Sequence, residues 1–210
     1  MKMKSFNTDG EFASNYKFLI GSILPRPIAW VSTLNEDGSN NLAPFSFFTA
    51  VSAKPMIIAF SPLIRSSTGD LKDTAKNILA HKQFVVNFVT EELATKANAT
   101  SAELAYGQDE FAHAGLTPLA SETIKAMRVA ESPIQFECVY RDHLSYGEVP
   151  GAGMIITGEV LKVHVNESLL DGDKINTQRF NPVGRGAGND WFRCNDTFEM
   201  ERLMKAQIQK

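Results

Sequence analysis

The chain has 210 residues, 43% hydrophobic and 21% charged, with a formal net charge of −3. That size and mix suit one globular domain spanning 1–210, able to bury a core without staples, and a mildly acidic surface attracts neither nucleic acid nor an anionic membrane. Two cysteines without a CxxC pattern leave room for one disulfide at most and exclude a disulfide framework, a zinc ribbon or a dithiol redox site.

The N-terminal MKMKSFNTDGEF carries basic residues with no apolar run behind them, so no secretory signal is expected. Apolar stretches such as Phe84–Val89 are too short to cross a bilayer, and the expected location is the cytoplasm. The first 24 residues read as a lead-in. Pro25 and Pro27 bracket Arg26 and force an extended entry. Ile28–Leu34 is rich in β-branched and aromatic residues and predicts a strand. Asn35-Glu36-Asp37-Gly38 predicts a tight turn, with the glycine supplying positive φ. Asn41–Ala50 returns as a second strand kinked at Pro44, which suits an edge, a bulge or a strand end. Met56–Ser61 predicts a third strand. Leu71, Ala75, Ile78 and Leu79 then share one helical face over residues 70–82, with Asp70 as N-cap and His81 and Lys82 at the C-terminal end. Phe84–Val89 is a strand and Glu91–Leu104 an Ala-rich helix. Residues 105–133 read as loop with a short helix around Ser121–Met127. Ile134, Phe136, Cys138 and Tyr140 alternate onto one face of a strand, and Gly153–Val165 is a long strand. Asn181–Asn195 is a Gly-rich polar segment, and Thr197–Ile208 is read as helical. Six or so short strands with inserted, non-alternating helices predict a barrel with peripheral helices, not a doubly wound sheet.

The chemistry-bearing residues concentrate between Asn41 and Asn77. Asn41, Ser46, Thr49 and Ser52 place short polar groups in an apolar, strand-like run, where they can bond the edge of a flat heteroaromatic ring. Phe45, Phe47 and Phe48 offer surface to cover such a ring. Ser61, Arg65, Ser66, Ser67, Thr68, Lys72 and Thr74 gather hydroxyls and two cations at the start of a helix, the groups a phosphate needs. Phenylalanines in a strand also serve as core, and a Ser/Thr-rich stretch before a helix also serves as loop and cap. The residues alone leave both readings open. Neither GxGxxG after a strand nor GxxxxGK[ST] occurs, so no Rossmann or P-loop nucleotide site is indicated.

The run LPRPIAWVSTLNEDGSNNLAPFSFFTAVSAKPMIIAFS, followed in order by KDTAKNI, FVVNFV, EFAHAGLT, SPIQFEC, ITGEVLKVHV and NPVGRGAGNDWF, resembles the flavin-reductase-like, FMN-binding split-barrel family. The resemblance covers residues 20 to about 192, leaving 1–19 as lead-in and 193–210 as tail. It implies a mainly β fold with peripheral helices, a six-stranded split β-barrel that dimerises and holds FMN near the subunit interface. It implies that Asn41, Ser46, Phe47, Phe48 and Thr49 face the ribityl chain and ring, and that Ser61, Arg65, Ser67, Lys72 and Thr74 hold the phosphate end. Asp73 is left a capping or orienting role, because a carboxylate does not sit against phosphate. Arg185 is retained from the pattern, and Trp191 stands where members often carry tyrosine; both are assigned to the flavin side, with a solvated loop arginine the equal alternative for Arg185. The activity implied is an NADH- or NADPH-dependent flavin reductase passing electrons through FMN to flavin, a small acceptor or an electron-acceptor protein. The alternative implied is a flavoredoxin-like FMN carrier without its own nicotinamide reaction.

Outside this constellation the signals are thin. His81, His113, His143 and His164 have no metal-ligand spacing, and only His113 lies in a segment resembling a substrate-side lid. Cys138 reads as core and Cys194 as an inert thiol. Glu148 reads as a solvated loop carboxylate, and no Ser/His/Asp nucleophilic set assembles. No catalytic acid or base and no metal ligand is therefore expected.

Overall fold

A computed structural model of the chain describes residues 1–9, 12–105 and 107–202. Seven strands form one antiparallel sheet: β1 (Ala29–Leu34), β2 (Asn40–Phe45), β3 (Phe48–Ala53), β4 (Met56–Phe60), β5 (Gln83–Asn87) and two long strands at 134–145 and 154–165. Between β5 and these lie two-residue strands β6 (Pro118–Leu119) and β7 (Arg128–Val129), so the long pair are β8 (Ile134–Ser145) and β9 (Met154–Val165). The order across the sheet is β2-β1-β5-β8-β9-β4-β3. Laid flat, seven strands would hold the edges about 29 Å apart. Yet β2 and β3 are the two edges and only Ser46 and Phe47 join them, a link that spans at most about 11 Å. The sheet must therefore curl until its edges approach each other, without a ladder between them among the described residues. Phe47 carbonyl accepts from the Ser61 amide at 2.8 Å, and the Phe45 and Phe60 rings lie 5.2 Å apart across the seam. The result is a split barrel of mainly β structure.

Three two-stranded ribbons among the described residues, β6 with β7, β10 (Leu170–Asp171) with β11 (Lys174–Ile175) and β12 (Val183–Arg185) with β13 (Trp191–Arg193), lie outside the barrel. Among the described residues five α-helices accompany it: α1 (Phe12–Ser22), α2 (Asp73–His81), α3 (Ala94–Ala99), α4 (Glu110–Ala114) and α5 (Thr177–Phe180). The barrel interior is filled by Val31, Phe45, Ile58, Phe60, Phe84, Val86, Cys138 and Ile156, with Ala75 and Ile78 of α2 packed against them. The alternation of β1 sends Trp30 to the outer face, where Leu42, Leu93, Ala97 and Phe111 enclose it and its indole N–H donates to Thr100 Oγ1 at 2.8 Å. Gly158 is fixed by packing: a Cβ there would lie 2.3 Å from the Phe84 ring, so only glycine lets β9 cross the buried phenylalanine.

The turn at Gly38 forms as expected, with φ +84 and its amide bonded to the Asn35 carbonyl at 3.0 Å. Several local expectations are corrected. The N-terminal lead-in contains α1. The single strand over 41–50 is two strands, because the chain leaves one sheet edge at Phe45 and joins the other at Phe48. The cap of α2 is Lys72 rather than Asp70; Asp70 instead closes a turn with Arg65, the Arg65 amide bonding the Asp70 carbonyl at 2.9 Å. The Ala-rich helix shrinks to Ala94–Ala99.

The expected helix at 121–127 does not form, since its backbone donors are taken by sheet side chains. Glu122 and Thr123 amides bond the Glu137 carboxylate, and the Lys125 amide bonds Gln83. A helix stands instead at α4, capped by the Asp109 carboxylate and ended by Gly115 in the left-handed region. Residues 197–202 are not helical, and the rest of the expected C-terminal helix lies outside the described residues.

Candidate flavin site

The break between β2 and β3 opens a cavity of about 340 Å³, within the range of small-ligand pockets. Phe45, Ser46 and Phe47 form its floor, Phe12 and Tyr16 of α1 one wall, and Ser61, Ile64, Arg65, Ser66 and Lys72 the polar end. A smaller cavity of about 80 Å³ continues past Arg65, Lys72 and Asp73 toward Asn41 and Glu110. The Phe12 and Tyr16 rings stack at 5.4 Å, so the wall is a continuous aromatic surface.

Lys72 is the decisive group. It lines both cavities at the N-terminus of α2. Burial pushes its pKa down from the ordinary lysine value, with Glu103 and Asp73 acting against that and Arg65 adding to it. Among the described residues no carboxylate lies within ion-pair distance of its ammonium group. A desolvated cation without a counter-ion, facing a cavity at a helix N-terminus, is an anion site in search of its anion. Arg65 stands beside it but is already engaged: its guanidinium holds Asp73 at 2.7 and 3.3 Å and the Leu71 carbonyl at 2.9 Å. Asp73 thus takes up the Arg65 guanidinium.

Six of the twelve residues singled out by sequence meet along this groove. Ser46, Phe47, Ser61, Arg65 and Lys72 line the main cavity, and Asn41 lines its extension. The Asn41 side chain is committed to a buried network, accepting from Thr33 (3.0 Å) and Thr74 (2.8 Å) and donating to Glu110 (3.2 Å). Thr74 thus turns its hydroxyl into the core rather than the cavity. Burial raises the pKa of Glu110, although the Leu42 amide and Asn41 bond the carboxylate. Ser67 gives its hydroxyl to Glu103 at 3.1 Å, while its neighbour Ser66 lines the cavity.

The other four lie elsewhere. Phe48 and Thr49 belong to β3 and border a separate apolar hollow of about 650 Å³ with Val51, Met56, Ile57, Phe88 and Phe136. Arg185 and Trp191 face each other across the β12–β13 ribbon, the guanidinium 5.0 Å from the indole ring and bonded to the Gly188 and Asp190 carbonyls.

Two contributors escaped the sequence. Arg26 is 3% exposed. It donates to the carbonyls of Ile20 (2.7 Å), Ile23 (3.3 Å) and Gly186 (2.7 Å) and to Ser46 Oγ at 3.2 Å. It thereby ties α1, the β12–β13 ribbon and the cavity floor together; burial lowers its pKa, Tyr16 opposes this and Arg185 adds to it. The flanking prolines were its only signal. The α1 wall was missed because a helix whose apolar residues pack on a cavity rim carries no clean stripe.

The geometry can hold a flat ring against aromatic side chains and a phosphate at Lys72 and Ser66. Comparison with known proteins agrees in kind. The model of the flavin reductase like domain matches residues 20–179. The chain is similar to nitrilotriacetate monooxygenase component B from Bacillus cereus at 34% identity and a TM-score of 0.90, covering 95% of this chain and 100% of that one. It is similar to the 2-nitrobenzoate 2-nitroreductase NbaA of Pseudomonas fluorescens at 26% identity and a TM-score of 0.86, covering 97% and 98%. An uncharacterized protein of Aquifex aeolicus (strain VF5) is 42% identical over 189 residues, 89% of this chain and 92% of that one.

Proposed function

The chain belongs to the flavin-reductase-like family, and on that premise we propose that it holds FMN in the groove between β2 and β3 and is reduced by NADH or NADPH. The electrons then pass to free flavin, another small acceptor or an electron-acceptor protein. The observation that carries this is Lys72, a half-buried lysine with no ion pair among the described residues, at one end of a cavity whose other walls are aromatic. Bound FMN supplies the ring that accepts hydride and stores two electrons. The chain's own residues do the rest. Lys72 and Ser66 take the phosphate, Phe47 and Tyr16 cover the ring and exclude water, and Ser46 and Ser61 offer hydroxyls to the ribityl chain. No acid or base is needed for hydride transfer, so the protein's contribution is placement.

The Bacillus relative is named as a component of a monooxygenase, which supports an acceptor protein; the Pseudomonas relative is named a nitroreductase, which supports a small aromatic one. The flavoredoxin-like alternative keeps the same site and replaces the nicotinamide by a protein donor. The purified protein loaded with FMN is expected to be yellow and to bleach within a turnover when NADH or NADPH is mixed in anaerobically. Bleaching only by a protein donor selects the carrier, and a protein with no affinity for FMN sinks both. Both cysteines are free thiols, which supports the cytoplasm as the place of this chemistry.

We propose further that the hollow beside β3 is covered by a second copy. β3 is an edge strand whose outer side pairs with nothing among the described residues, and Val51 and Met56 are 57% and 37% exposed there. An apolar edge of this kind is a pairing surface unless protected. Light scattering is expected to give twice the chain mass, and Val51→Glu to lower it to one; a wild-type monomer at micromolar concentration rules the dimer out.

A further inference from the structure

The phosphate end of the groove already contains carboxylates in the places a phosphate would claim. Asp73 occupies the Arg65 guanidinium through two hydrogen bonds and is 12% exposed at its side chain. Glu103 lines both cavities with Lys72 and Arg65 and accepts from Ser67 Oγ at 3.1 Å. The two differ in freedom. Asp73 is fixed in the first turn of α2 by a bidentate pair, whereas Glu103 is exposed, has that single hydroxyl contact and makes no ion pair among the described residues. Two cations, Arg65 and Lys72, stand against two carboxylates, Asp73 and Glu103, with a third, Glu110, at the inner end of the smaller cavity, so this end carries no net positive formal charge.

We infer that Glu103, which lines both cavities with Lys72, competes with the ligand's phosphate for the field of Lys72, so that flavin is held as an exchangeable ligand rather than a permanent one. This rests on the flavin reading above. A dianionic phosphate entering beside Lys72 meets Glu103 as a like charge in a partly desolvated space, where screening is weaker than in bulk water. Glu103 must swing toward solvent or remain and repel, and either outcome weakens binding and speeds release. Lys72 and Glu103 already sense each other, since Glu103 acts against the effect of burial on the lysine.

The test is Glu103→Gln, which keeps the side-chain length and a carbonyl acceptor for Ser67 while removing the charge. Dissociation constants for FMN and riboflavin, and the FMN release rate, are measured for wild type and variant at low and high salt. FMN is expected to bind about three- to tenfold tighter in the variant at low salt, chiefly through slower release. Riboflavin should stay within about twofold, and the FMN difference should shrink at high salt. Equal FMN affinity in both proteins overturns this inference and leaves the flavin site standing. Equal tightening of riboflavin also overturns it, because the effect is then packing and not charge. A wild type that takes up neither flavin overturns the flavin reading, and this inference with it.

Discussion

Lys72→Ala is expected to weaken FMN binding by about 1.5–3 kcal/mol, roughly ten- to a hundredfold or slightly more, the range for a hydrogen bond to a charged group. Riboflavin, which lacks the phosphate, should lose almost nothing. The free protein should be no less stable than wild type. Burial lowers the lysine's pKa, so the ammonium form is disfavoured by folding and its removal relieves a cost. The pH dependence follows with a definite sign. A phosphate beside Lys72 raises its pKa above the lowered value of the free protein, so binding takes up a proton between the two. FMN affinity therefore falls as pH rises through the free protein's lysine pKa, and Lys72→Ala flattens that fall. Titrations of FMN and riboflavin into both proteins check this. An unchanged FMN dissociation constant in the variant removes Lys72 from the site.

What could be read from the chain follows the range of the forces involved. Strand signals in β1, β4, β5, β8 and β9 were legible because each is an apolar or alternating run that one or two neighbours suffice to bury. The division of 41–50 was not, because Asn41 to Phe45 and Phe48 to Ala50 both read as strand. Only closure of the barrel, which brings Phe45 and Phe60 together, decides that the chain changes edges at Ser46. The α4 cap was in plain view as Asp109 and Gly115, obscured by the glycines and prolines around it. At the site, the directions in which side chains turn were not legible. Thr74, at the second position of α2, has its hydroxyl turned to Asn41, a choice set by β2 packing beneath the helix. Ser67 bonds Glu103, 36 residues on, a partner that no local pattern announces. Arg26 could not be weighted at all, since its meaning comes from Gly186, 160 residues away.

Glu137 shows the same limit, and replacing it should have the largest effect on stability. The alternation of Ile134, Phe136, Cys138 and Tyr140 puts Glu137 on the other strand face, where an acidic residue is ordinarily solvated. It is instead fully buried, next to a bulge between Glu137 and Cys138. Its carboxylate accepts from the Glu122 amide (2.8 Å), the Thr123 amide (2.7 Å), the Thr123 hydroxyl (2.5 Å) and His164 Nε2 (2.7 Å), with Arg128 Nε at 3.8 Å. Burial alone would push its pKa up; the bonds from Thr123, Glu122 and His164 outweigh that and bring it down to about 2.

Glu137→Ala leaves two backbone amides and a histidine without their acceptor and is expected to cost about 3–5 kcal/mol, as breaking a buried charged pair does. The acid limb carries the second half of the prediction. A carboxyl lowered from 4.5 to about 2 contributes stability that is full above pH 5 and lost as pH falls toward 2, on the order of 3 kcal/mol. Urea unfolding between pH 7 and 2.5 should show wild type losing that much more than Glu137→Gln, whose side chain does not titrate; parallel curves would remove the carboxylate from the account. None of the groups around Glu137 lines the cavity at Lys72. FMN affinity at neutral pH should therefore be the same in wild type and Glu137→Gln under conditions where both are folded, so the residue that most strongly holds the barrel's outer wall is separable from the residues that hold the ligand.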